Sequence, residues 1–259
     1  MSTTAGARAA AWPWPTVPVR APIVLAAHGS RDPASARTMR ALAGRVAVAW
    51  GSPVVAGFLD FDQPTVADAL TEVSGGPAPV VVPGLLTHAY HSRVDLPAVL
   101  ARAPVAARLA PVLGPDPLLL AALRRRLSEL DTSGDGLVLI AAGTSDAAAR
   151  STVDAMAADL GRRCGLPCAA GYASASGPTV PEAVAAVRAR GARRILGASY
   201  FLAPGRLFDA ATAAAMAAGA AGVAAPLGDA PELVRLVIAR AAQAVRVPSL
   251  GGLTPEPVA

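Results

Sequence analysis

Only three histidines occur in this 259-residue chain, and each stands where an apolar run breaks into small and polar residues. His28 interrupts "VLAAHGSRDP" at 24–33, with Ser30 and Arg31 behind it, while His88 and His91 follow an apolar run in "VVPGLLTHAYHSRVDLP" at 81–97, with Arg93 two residues on. Between them, "GFLDFDQPTV" at 57–66 ends its apolar run in Asp60. Neutral imidazole is a good ligand for borderline divalent ions such as Fe(II), Co(II), Ni(II) and Zn(II), and its reference pKa of about 6.5 also suits it to accept protons near neutrality. Pro83, Gly84 and the later Asp-Leu-Pro put His88 and His91 in a loop, so their spacing is not a helical metal motif.

The elements that must carry these residues follow from the alternation of short apolar runs with longer Ala/Arg/Leu segments. Strands are expected at 22–27, 53–59, 79–83 and 108–112, then at 137–142, 168–173, 194–198 and 222–226, with helices between them. This is the pattern of a doubly wound α/β fold, with parallel sheets covered on both faces. A shift of 114 residues lays the second four strands on the first without a gap. "IVLAAHGSRD" at 23–32 falls on "LVLIAAGTSD" at 137–146, and "GFLDFDQPTV" falls on "GYASASGPTV" at 171–180. The fold expected is therefore two similar parallel-sheet domains made by internal duplication, joined through the polar link "DTSGDG" at 131–136.

The duplication separates scaffold from chemistry. Gly29/Gly143, Ser30/Thr144, Asp32/Asp146, Pro64/Pro178 and Asp95/Asp209 match, so turns and helix caps explain them. Asp32 and Asp146 are expected to cap the helices that follow, and Asp95 the helix with Pro97 in its first turn. The mismatches run one way: His28 faces Ala142, Arg31 faces Ser145, Asp60 faces Ser174, His91 faces Gly205 and Arg93 faces Leu207. In this set the reactive residues all lie in the first half. Residues that follow parallel strands gather at one sheet edge, where ligands bind in open α/β folds, so the three loops are expected to open into one crevice with the second half as its far wall.

Composition narrows the chemistry. With 53% hydrophobic and 16% charged residues the chain can bury a large core. Net charge is +5, yet all 23 cations are arginine. Absence of lysine removes the Walker A loop and Schiff-base catalysis, leaving a guanidinium fork that suits carboxylates and phosphates. The arginines are scattered and aromatics make up 4%, which argues against nucleic acid as a partner. A histidine phosphatase needs an arginine just before its histidine, and Ala27 stands there. Cys164 and Cys168 in "CGLPC" read as structural thiols of a reducing compartment. No membrane span is expected, and the cytoplasm is the expected location.

Taken together, "LAAHGSRDP", "GFLDFDQPTV" and "VVPGLLTHAYHSRVDLP" resemble the sirohydrochlorin chelatases, the class II chelatases that insert Fe(II) or Co(II) into tetrapyrroles. The resemblance is strong over 22–131, and the histidine-poor second half matches the long form of that family. It implies that His28 and His91 bind the metal and remove protons. His88 and Asp60 are further metal candidates; Asp60 is a methylene shorter than the glutamate many relatives carry. Ser30, Arg31, Arg93 and, across the crevice, Arg206 are implied as grips for the substrate's carboxylates. The ion is a substrate and no cofactor is permanently bound. The alternative is a metal-ion or tetrapyrrole carrier that turns nothing over. Residues 1–20 are expected to be a mobile leader, 21–131 the half with the site, 132–246 a degenerate second half and 247–259 a tail. Both walls come from one chain, so a monomer suffices.

Overall fold

The computed structural model describes residues 20–87, 95–174 and 177–246. His88, His91, Arg93, nearly all of the expected leader and the tail lie outside them. The first half carries β1 (Ile23–Ala27), α1 (Pro33–Trp50), β2 (Val54–Phe58), α2 (Val66–Glu72), β3 (Val80–Pro83), α3 (Leu96–Arg102), β4 (Arg108–Leu109) and α4 (Pro117–Ser128). The second repeats the order with β5 (Gly136–Ala141), α5 (Ala147–Cys164), β6 (Cys168–Tyr172), α6 (Val180–Ala189), β7 (Ile195–Tyr200), α7 (Arg206–Ala217), β8 (Gly222–Val223) and α8 (Pro231–Arg246). Each half is a four-stranded parallel sheet, ordered β2-β1-β3-β4 and β6-β5-β7-β8. The expected α/β duplication is thus present in strand order, whereas the register holds for the first two strands only: Ile23 pairs with Val80, but Leu137 pairs with Leu196, two residues beyond the 114-residue shift.

β1 is buried along its whole length because both of its faces are covered. Ile23, Leu25 and Ala27 join the large core that runs through both halves, whereas Val24 and Ala26 pack with Val66, Leu70 and Leu96 on the outer side. β5 divides in the same way, Leu137, Leu139 and Ala141 inward and Val138 and Ile140 outward. Helix starts follow the sequence chemistry. Asp32 and Asp146 accept from Ala34 N–H and Ala148 N–H, both at 2.8 Å, and Thr65 and Thr179 each form a capping box with the acidic residue three positions on. Asp95 departs from expectation. It sits before α3 in the helical region with φ −67° and ψ −51°, a geometry in which its side chain makes no capping hydrogen bond. Asp209 lies inside α7, which starts at Arg206, a turn earlier than α3 does in its repeat.

The last helix of each half crosses to the other sheet. α8 packs on β3 and α1, while α4 packs on β7 and α5, and the two helices pack on each other. Repeat-equivalent arginines fasten the exchange: Arg126 Nη2 donates to the Leu227 carbonyl at 3.0 Å, and Arg240 Nη2 to the Leu113 carbonyl at 2.9 Å. Arg240 also donates to the Val112 carbonyl at 2.8 Å and to Asp116 Oδ2 at 3.0 Å. Arg125 holds Glu232 in a bidentate pair, with Nε and Nη2 at 3.0 and 2.8 Å from Oε1, which draws the Glu232 carboxyl below its usual range.

Candidate functional site

His28 is the first residue beyond β1, and a buried strand therefore delivers it to the carboxyl edge of the sheet. The parallel pairing continues past the strand ends: Asp60 N–H donates to the His28 carbonyl at 2.9 Å. Gly29 makes this closure possible. Its φ is +92°, and a Cβ there would lie 1.8 Å from the Asp60 carbonyl oxygen. Ser30 N–H then donates to Asp62 Oδ2 at 3.0 Å, and Asp32 N–H to Ser30 Oγ at 3.1 Å, so the loop from His28 to the start of α1 is pinned along its length.

Asp60 is exposed and its Oδ1 accepts from Phe61 N–H at 2.8 Å. That bond helps hold Phe61 at φ +63°, where it is the one residue other than glycine with positive φ among those described. Phe61 is 52% exposed. Its ring meets the His28 imidazole edge to face at 6.2 Å between centroids, and the Arg31 guanidinium carbon stands 5.2 Å from its centre.

Two adjoining cavities open between the halves at this edge, sharing Ala142 and Phe201. The larger, about 390 Å³, has Gly29, Ser30, Arg31 and Phe61 on one side and Arg206, Leu207 and Phe208 among the residues on the other. Its described lining holds two arginines and no carboxylate, a setting that favours an anionic ligand. The smaller, about 240 Å³, lies between Gly84–Thr87 of the first half and Gly143, Thr144, Tyr172 and Tyr200 of the second. The Tyr200 hydroxyl donates to the Leu86 carbonyl at 3.0 Å across the halves, and burial raises its pKa, which keeps it a neutral donor.

The structure thus places Ser30, Arg31 and Arg206 in one cavity. His28 stands beside it through its contact with Phe61, while Asp60 lines neither cavity. No group of three or more His, Cys, Asp or Glu residues able to hold a metal ion occurs among the described residues, a set that excludes His88 and His91. Sequence reasoning missed Phe61 and Asp62. Both face small residues in the repeat, Ala175 and Ser176, so the comparison that singled out His28 contained the signal for them. The two cysteines stand apart from this edge. Cys168 is the first residue of β6, at the opposite end of its strand, and burial pushes its thiol up to about 12. No helix among the described residues is long and apolar enough to cross a membrane.

Among known proteins, a curated sirohydrochlorin cobaltochelatase of Methanothermobacter thermautotrophicus is 29% identical over 80 residues, 30% of this chain and 56% of that protein, so the match spans little more than half the relative's length. The sirohydrochlorin chelatase SirB from Bacillus subtilis subspecies spizizenii, solved in complex with cobalt, superimposes with a TM-score of 0.74 at 20% identity over 89% of this chain and 97% of that one. CbiX, described as the terminal enzyme of siroheme biosynthesis in denitrifying bacteria, gives 0.62 at 24% identity over 88% of this chain and all of its own. These likenesses establish a common fold. The CbiX family model matches twice, over residues 22–130 and 136–244, and the chain belongs to the CbiX family.

Proposed function

We propose that this protein is a sirohydrochlorin chelatase, a lyase of the cytoplasm that inserts Fe(II) or Co(II) into sirohydrochlorin for siroheme or cobalamin. The observation that carries this reading is His28, delivered by a buried strand to the margin of an arginine-lined cavity whose far wall is a repeat with alanine at the same position. Membership of the CbiX family and the names of the relatives support it.

Insertion exchanges two pyrrole N–H protons for one divalent cation, so the site must hold the ion, seat the ring and take up protons. His28 and His91 hold the ion and accept the protons, with His88 and Asp60 as additional donors. Arg31, Arg93 and Arg206 grip the substrate's carboxylates together with Ser30 and the first N–H groups of α7, whose N-cap, Gly205, has no side chain to occupy them. Imidazolium can neither coordinate nor accept a proton, so activity falls as pH drops through the ordinary imidazole range; a flat profile between about pH 5 and 8 contradicts these roles.

The test is anaerobic incubation of sirohydrochlorin with Fe(II), Co(II) or Ni(II) and catalytic amounts of protein, followed by absorbance. Many turnovers per chain are expected with iron or cobalt. Binding that stops at one equivalent without metallation identifies a carrier instead.

A further inference from the structure

Two of the six exposed large apolar side chains among the described residues, Phe61 and Leu207, line the same cavity, one from each half. Ligand pockets are lined mainly by apolar and aromatic side chains, so apolar surface exposed inside a cleft is a candidate ligand contact. Phe61 is also held there against its backbone preference, by the bonds from its own N–H to Asp60 and from Asp62 N–H to the Asp60 carbonyl, both 2.8 Å. In the other half, the rings of Phe201 and Phe208 lie edge to face at 5.8 Å beside Leu207, forming an apolar wall. In the 114-residue shift Phe61 falls on Ala175, so its side chain is not a requirement of the shared fold.

We infer that Phe61 and Leu207 are the jaws of a slot for a flat aromatic macrocycle, with the face of the ring against Phe61 and its far side against the wall built on Leu207. Arg31, resting on the Phe61 ring, and Arg206 stand where carboxylates around the macrocycle's rim meet them. Phe61 also touches the His28 ring, so a macrocycle seated on it lies next to the imidazole. Phe61 and Leu207 are therefore positioning residues that set affinity for the ring and leave the metal chemistry to others. The inference rests on the proposed chelatase reading and adds the contacts that select a flat macrocycle.

The test is titration of metal-free sirohydrochlorin into the full chain, followed by absorbance, alongside steady-state insertion. Phe61→Ala and Leu207→Ala each weaken binding and raise KM by about tenfold, the order expected for losing a large apolar contact, with kcat within about threefold. Phe61→Tyr, which keeps the ring, restores binding. Both side chains are exposed, so melting temperatures stay at the wild-type value. Wild-type affinity in both alanine variants overturns the inference, as does a Phe61→Tyr protein as weak as Phe61→Ala, while the chelatase reading stands in either case. A wild type that neither binds nor metallates sirohydrochlorin removes that reading and this inference together.

Discussion

The two halves repeat each other in the bonds that shape them and differ in the side chains that those bonds present. Gly29 and Gly143 have φ of +92° and +99°, and a Cβ on either would lie under 2 Å from the carbonyl opposite, of Asp60 or Ser174. Asp60 N–H meets the His28 carbonyl at 2.9 Å, and Ser174 N–H meets that of Ala142 at 3.0 Å. Ser30 and Thr144 both take the amide of the following cap residue at 3.1 Å. On these equivalent frames one half carries His28, Arg31 and Asp60, and the other Ala142, Ser145 and Ser174. A loop can therefore be kept for its geometry alone, and a retained glycine turn is no sign of a retained reaction.

The comparison breaks most sharply at His28. His28→Ala is expected to slow metal insertion by a factor of about 10²–10⁴ without changing the melting temperature, and a stopped assay of tetrapyrrole absorbance at wild-type rate refutes its role. Next in size, Gly29→Ala and Gly143→Ala each destabilise by about 2–3 kcal/mol, through strained φ and a backbone clash. Thermal unfolding should show equal losses; a large inequality means that the frames are not equivalent. Arg240→Ala removes three hydrogen bonds and Arg126→Ala fewer, so the former lowers the melting temperature more.

The smallest effect is electrostatic. The Glu232 carboxyl is held below its usual range by Arg125, so its contribution to stability is complete above the unfolded-state glutamate pKa and is lost as pH falls through the lower folded-state value. Glu232→Gln lowers the melting temperature by about 2–4 °C at pH 7. In melting curves the difference from wild type should close under acid conditions; a constant gap down to pH 3 contradicts the pairing.

Much of this was legible in the sequence because a parallel strand buried on both faces leaves an unbroken apolar run. β1, β2, β5 and β6 lie within a residue or so of their expected ranges. β4 and β8 are far shorter than the runs at 108–112 and 222–226, since an apolar run records burial and not strand pairing: Val112 is buried outside any strand. Asp95 was misread because the capping rule assumes an extended residue, and this one is already helical. The crossing of α4 and α8 was not legible. An apolar stripe records that a helix is covered and does not record by which sheet. Within the site, His28 and Arg31 announced themselves as polar breaks after an apolar run, whereas nothing singled out Phe61, because exposure cannot be read from residue type.

The exchanged helices bear on how such a molecule came to be one-sided. Arg126 and Arg240 occupy the same repeat position and grip the same position of the opposite half, so two identical half-length chains could pair in this arrangement. In such a pair every substitution lands in both walls at once, and neither can shed a reactive group while its twin keeps one. Covalent fusion lifts that restriction and leaves one wall free to become a fitted surface.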